Sequence, residues 1–104
     1  VVRDNTTSAG INITGSGTPA STLTADIYGN IVTGCYKPGL NIDRQSNHGG
    51  TLRVCNNTFY DNNQRSGSWT GAGGEVMVHS DSDGMQVAFS NNLLAHHPGS
   101  GSRT

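Results

Sequence analysis

The sequence predicts an all-β fold built as a solenoid, and three observations point there. A short phrase recurs: "VCNNTF" (54–59) matches "FSNNLL" (89–94) directly and "IYGNIV" (27–32) closely, and "VRDNTT" (2–7) follows more loosely. Apolar residues alternate with others at period 2, which excludes helical repeats. The composition is poor in helix formers, with 32% hydrophobic residues, 12% charged residues and 15 glycines in 104 residues. A net charge of −1 argues against disorder, which pairs low hydrophobicity with high charge.

The first element is the weak copy at 2–7, with Val2 set over Ile27, Val54 and Phe89. The strand "GINIT" (10–14) follows, with Ile11 and Ile13 inward. The second copy carries Ala25 two residues ahead of Ile27, and "GLNID" (39–43) follows with Leu40 and Ile42 inward. The third copy carries Leu52 ahead of Val54, and "EVMVH" (75–79) follows with Val76 and Val78 inward. The fourth carries Val87 ahead of Phe89. Two residues after a fixed asparagine stand Thr7, Val32, Phe59 and Leu94. Self-similarity at a few tens of residues is a solenoid signature, and loops of unequal length absorb the unequal spacing.

The fixed asparagines are Asn5, Asn30, Asn57 and Asn92. In a coil of parallel strands, equivalent side chains stack at about 4.8 Å. A stacked Asn amide can donate to the carbonyl of its neighbour, forming a ladder. Asn also tolerates left-handed backbone better than other non-glycine residues, so the column is expected at sharp bends.

The outward positions of the second strand carry the candidate chemistry. The register sets Gly10, Gly39 and Glu75 in one column, Asn12, Asn41 and Met77 in the next, and Thr14, Asp43 and His79 in a third. Arg44 follows Asp43, and "HSDSDGM" adds Asp81 and Asp83. This face is expected to gather Asp43, Arg44 and His79 for substrate, with Glu75, Asp81 and Asp83 as oxygen ligands. Several such oxygens suit a hard cation such as Ca²⁺. Trp69, in "SGSWTGAGG", stands in the longest insertion and either stacks on a sugar ring or folds back over the coil.

The stretches "VCNNTFYDNN" and "FSNNLLAHH" resemble the strand–Asn–strand repeat of the right-handed parallel β-helix used by the pectate-lyase-like superfamily. The resemblance covers most of residues 23–97. It implies a right-handed parallel β-helix of three to four turns, acting on polysaccharide by β-elimination at a uronate. Members of that family use Ca²⁺ to neutralise uronate carboxylates, and an arginine takes the adjacent proton. The stretch "NNLLAHHPGSGSRT" resembles the family's run towards that arginine, which makes Arg103 the catalytic candidate. His96 and His97 are adjacent on an expected strand end, so they face opposite sides and are read as turn histidines.

Other features set bounds. The near-zero charge gives no electrostatic case for nucleic acid or an anionic membrane. No apolar run reaches the roughly 18 residues needed for a membrane span. Cys35 and Cys55 lack metal spacing and are too few for a disulfide framework; they read as small side chains. Three Asn-X-Thr sequons, at Asn5, Asn12 and Asn56, matter only in a eukaryotic secretory setting. The chain starts on Val1 and neither end reads as a cap. It is therefore expected to be one β-helix segment, residues 1–104, of a longer secreted or cell-surface protein. The leading functional expectation is a polysaccharide lyase or related glycan-acting enzyme. The rival is a structural β-helix (adhesin, tail spike or fibre) whose copies stack end to end.

Overall fold

The computed structural model describes residues 1–64, 74–79, 82 and 84–95. These residues form ten strands: β1 (Val2–Arg3), β2 (Ile11–Gly15), β3 (Leu23–Tyr28), β4 (Ile31–Thr33), β5 (Leu40–Arg44), β6 (Gly50–Cys55), β7 (Thr58–Tyr60), β8 (Val76–Val78), β9 (Met85–Ser90) and β10 (Leu93–Ala95). No helix occurs among the described residues. The strands make three sheets, ordered β1-β4-β7-β10, β2-β5-β8 and β3-β6-β9. Every pairing is parallel. The chain therefore visits the three sheets in strict rotation, and each circuit lays a strand beside its equivalent from the circuit before.

The register agrees with most of the expected columns. Ala25, Leu52 and Val87 are aligned, as are Ile27, Val54 and Phe89. Val32, Phe59 and Leu94 form another column. Ile11, Leu40 and Val76 stand together, and so do Ile13, Ile42 and Val78. Alternation sends one set inward: Leu40, Ile42, Leu52, Val54, Val32 and Phe59 are wholly buried and form one cluster. Each strand supplies few large side chains, so the core exists only through contact between neighbouring circuits.

The first copy needs correction. Val2 pairs with Val32, not with the Ile27–Val54–Phe89 column. It occupies the place expected for Thr7, and Asn5 stands at a different corner from Asn30. The phrase "VRDNTT" is too short to distinguish two strand–turn junctions of similar composition. Inwardness also fades along the columns. Val78 is 48% exposed, Phe89 46% and Leu94 51%, because β8, β9 and β10 are edge strands of their sheets.

Two corners share one construction. At the first, Asn30 Nδ2 donates to Asn57 Oδ1 at 3.0 Å, and Asn57 Nδ2 donates to Asn92 Oδ1 at 3.0 Å. The backbone amides of Asn30 and Asn57 donate to the same two oxygens. The left-handed backbone falls on the residue before each ladder position: Gly29 (φ 66°), Asn56 (φ 56°) and Asn91 (φ 52°). Bending and laddering, expected of one asparagine, are divided between two residues. The second corner repeats this with Asp4 (φ 55°), Gly34 (φ 67°) and Asp61 (φ 52°) preceding Asn5, Cys35 and Asn62. There the Cys35 amide donates to Asn62 Oδ1 at 3.1 Å. The Asn62 amide in turn donates to Glu75 Oε1 at 3.0 Å.

One glycine is dictated by close approach. Gly50 opens β6 at φ 138°, a conformation that favours glycine. A Cβ there would fall on the carbonyl oxygen of Leu23.

Candidate functional site: the outer face of the β2-β5-β8 sheet

Alternation that buries Leu40 and Ile42 turns Asn41 and Asp43 outward. Parallel register then aligns Asn12, Asn41 and Met77 across the sheet. The polar members are joined. Asn12 Nδ2 donates to Ser8 Oγ at 3.4 Å, and Asn41 Nδ2 donates to Asn12 Oδ1 at 3.2 Å. His79 Nε2 lies 3.0 Å from Asn41 Oδ1, an oxygen that can only accept. That contact assigns the Nε2 hydrogen and turns Nδ1 towards Asp43 Oδ1, at 4.0 Å. The result is a short polar chain on the outer face: Asn12 and Asn41 are one strand-step apart, about 4.8 Å, and His79 reaches Asn41 diagonally, from two residues beyond its register partner Met77.

A groove of about 400 Å³ runs beside this ladder, lined by Tyr36, Lys37, Pro38, Asn41, Asp43, Met77 and His79. Lys37 and Tyr36 are held by the second corner. The Lys37 amide donates to Ser8 O at 3.1 Å and the Tyr36 amide to Asn5 O at 2.7 Å. The groove thus offers an aromatic ring, an ammonium, a carboxylate, an amide and an imidazole on a rigid sheet. Such a mixture of apolar lining and a few placed polar groups is typical of ligand clefts.

The sequence-predicted residues divide into three groups. Asp43 and His79 come together on this face. Arg44 and Glu75 do not join them. Arg44 has the parity of Leu40 and Ile42, so it points inward and is only 4% exposed. Its Nε donates to His48 O, its Nη1 to Thr14 O, and its Nη2 to Ser21 O, Ser21 Oγ and Gly49 O. Glu75 precedes β8, where the chain still bends and strand alternation does not yet apply. It is likewise 4% exposed. Its carboxylate receives the Asn62 amide and side-chain Nδ2, completing the second corner's ladder. Trp69, Asp81, Asp83, His96, His97 and Arg103 lie outside the described residues.

Sequence reasoning missed Tyr36 and Lys37. A usable signal existed, since "YKPG" immediately precedes the strand whose outward residues form the site. It also missed the outward pair Asp26 and Arg53, one circuit apart in the β3-β6-β9 sheet. Arg53 Nε and Nη2 donate to the two Asp26 oxygens at 2.6 and 2.7 Å. That fork holds the Asp26 carboxyl below, and the Arg53 guanidinium above, their ordinary values. Tyr28 and Cys55 flank the pair.

Among the described residues, no three His, Cys, Asp or Glu side chains converge as a metal site would require. Comparison with protein-family models, curated proteins and solved structures finds no match.

Proposed function

We propose that this chain is a section of a right-handed parallel β-helix, of the pectate-lyase-like kind, from a secreted or cell-surface protein, and that its β2-β5-β8 face binds polysaccharide. Strict rotation through three parallel sheets supports the fold. Right-handedness follows from the general preference of parallel crossovers. One observation carries the function: the outward residues Asn12, Asn41 and His79 are joined by hydrogen bonds across three neighbouring strand positions, beside a groove that also holds Tyr36, Lys37 and Asp43. A glycan running from Asn12 past Asn41 to His79 meets donors and acceptors along its length, with Tyr36 available for an apolar sugar face and Lys37 for a carboxylate. Fold alone does not decide chemistry, so the reading rests on this face.

Cleavage, in this reading, is β-elimination at a uronate within the same groove. A base removes the proton beside the carboxylate while a cation neutralises it. Lys37 supplies a positive charge at the groove, and Arg103 remains the proposed base. The described residues do not fit a Ca²⁺ centre, since the Glu75 carboxylate is turned to Asn62.

The test is calorimetric titration of the protein with polyuronate and with neutral glucan, alongside ultraviolet absorbance of unsaturated uronate product. Saturable polyuronate binding, weakened about tenfold (~1.4 kcal/mol) by Asn41→Ala or Tyr36→Ala, supports the reading. No binding to either polymer ends it. Binding without product retains recognition and removes the lyase step.

A second reading is favoured by a separate observation. Val78, Phe89 and Leu94 are half-exposed on edge strands, and an open concavity there is lined by Val76, Phe89, Asn92 and Leu94. In this reading copies of the chain stack end to end, since unpaired parallel edges template further strands. Sedimentation across protein concentrations tests it: mass rising with concentration, and falling back on Phe89→Lys, supports stacking, whereas a concentration-independent monomer contradicts it.

A further inference from the structure

The corner between the β2-β5-β8 and β3-β6-β9 sheets holds a group of side chains with no part in the groove. Ser21 is exposed and His48 is buried, yet Ser21 Oγ lies 2.7 Å from His48 Nδ1. The other ring nitrogen, Nε2, lies 2.9 Å from the carbonyl oxygen of Gly17. A carbonyl can only accept, so Nε2 carries a hydrogen, and in the singly protonated ring Nδ1 is then the acceptor. In that tautomer the Ser21 hydroxyl is the donor in the 2.7 Å contact. A serine donates to a histidine, and the histidine is oriented by a third group. That is the arrangement that activates a hydroxyl nucleophile.

Arg44 adds charge. Its Nη2 lies 3.2 Å from Ser21 Oγ, and among the described residues its side chain donates to neutral oxygens. No carboxylate pairs with it among the described residues. A buried guanidinium whose described partners are all neutral can stabilise negative charge developing beside it. The site is rigidly held, because the loop 45–49 is tied to the preceding circuit through Gln45 Oε1, which accepts from the Gly17 amide, and through the Gln45 amide, which donates to Gly15 O.

From this geometry we propose that Ser21 is a nucleophile with His48 as its general base, in a site for transfer of small acyl groups from esters. Ser21 Oγ attacks the ester carbonyl carbon as its proton passes to His48 Nδ1. The tetrahedral intermediate expels the alcohol oxygen, which takes that proton. Water then attacks the acyl-serine by the same relay, releasing the carboxylic acid and restoring the Ser21 hydroxyl. A fluorophosphonate probe reports the first step. The Oγ–P bond forms, the P–F bond breaks, fluoride leaves and Nδ1 holds the proton.

The experiment labels the folded protein with a fluorophosphonate and locates adducts by peptide mass spectrometry, using exposed Ser46 as the internal reference. General-base assistance predicts labelling of Ser21 faster than Ser46 by roughly 10²-fold. Ser21→Ala removes the adduct, and His48→Gln brings Ser21 down to the Ser46 rate. If His48→Gln fails to fold, the wild-type protein in urea replaces it, and the preference for Ser21 must vanish on unfolding. Equal labelling of Ser21 and Ser46 in the folded protein overturns the proposal. So does a preference that survives His48→Gln in a folded variant, or survives unfolding.

Discussion

Asn57 Nδ2 donates to Asn92 Oδ1 across 35 residues of sequence, at the same 3.0 Å at which Asn30 donates to Asn57 across 27. Unequal loops therefore leave the spacing of the stacked corner unchanged. Asn57, the middle member, is almost wholly buried, and its Nδ2 also donates to Ile27 O and Cys55 O.

Replacing the middle of the ladder is therefore expected to cost more than replacing an end. Asn57→Ala leaves several buried partners unsatisfied, each costing about 1–3 kcal/mol. Urea unfolding should show a loss of at least ~2 kcal/mol for Asn57→Ala. Asn30→Ala, at a partly exposed position, should lose less.

The column Val32–Phe59–Leu94 makes a parallel prediction for the core. Phe59 is wholly buried while Leu94 is half-exposed. Phe59→Ala should destabilise by about 3–5 kcal/mol. Leu94→Ala should fall within ~1 kcal/mol of wild type, as expected of a position outside the packed core. Equal losses would mean that the column is not packed as described.

The Asp26–Arg53 fork predicts a pH effect of defined sign. The Asp26 carboxyl is held below its ordinary value of 3.8, chiefly by the hydrogen bonds from Arg53. A depressed carboxyl adds stability above its unfolded value and loses it as pH falls through the lower folded value. Asp26→Asn should therefore be slightly less stable than wild type at pH 7 in low salt. The gap should close in acid below pH 3.8 and shrink in high salt, as for any exposed pair. Paired melting curves across pH measure it.

The two cysteines should react differently. Burial pushes the Cys35 thiol up, with the Asn5 backbone contact opposing, and Cys35 is fully enclosed while Cys55 is partly open. Iodoacetamide at neutral pH should modify Cys55 and leave Cys35 until the chain unfolds, because the thiolate is the reactive form. Modification of Cys35 at the Cys55 rate in folded protein would contradict this.

The legible part of the fold was whatever period 2 and repetition encode. Leu52 and Phe59 were readable as inward because apolar residues return at fixed offsets from Asn30, Asn57 and Asn92, and Leu40 and Ile42 because they alternate within "GLNID". The same parity already placed Arg44 inward, but a charged residue beside Asp43 invites the opposite reading. The second corner was not legible, because its ladder position is Asn62 in one circuit, Cys35 in another, and is completed by Glu75, 13 residues after Asn62 in the sequence. Asp43 and His79 were readable as outward neighbours from register. Tyr36 and Lys37 were not, since they reach the groove from a bend that strand alternation does not describe. Ser21 and His48 stand 27 residues apart, the same separation as Asn30 and Asn57, and only the stacking of circuits brings them together.

The central functional claim is that a glycan lies across β2, β5 and β8. Its most direct measurement is a chemical-shift titration of isotopically labelled protein with a polyuronate oligosaccharide. Binding on this face should move the resonances of Tyr36, Asn12, Asn41, Met77 and His79 together along one saturation curve, leaving Asp26 and Arg53 on the neighbouring sheet unmoved. Saturating oligosaccharide that leaves Asn41 and His79 in place would contradict it.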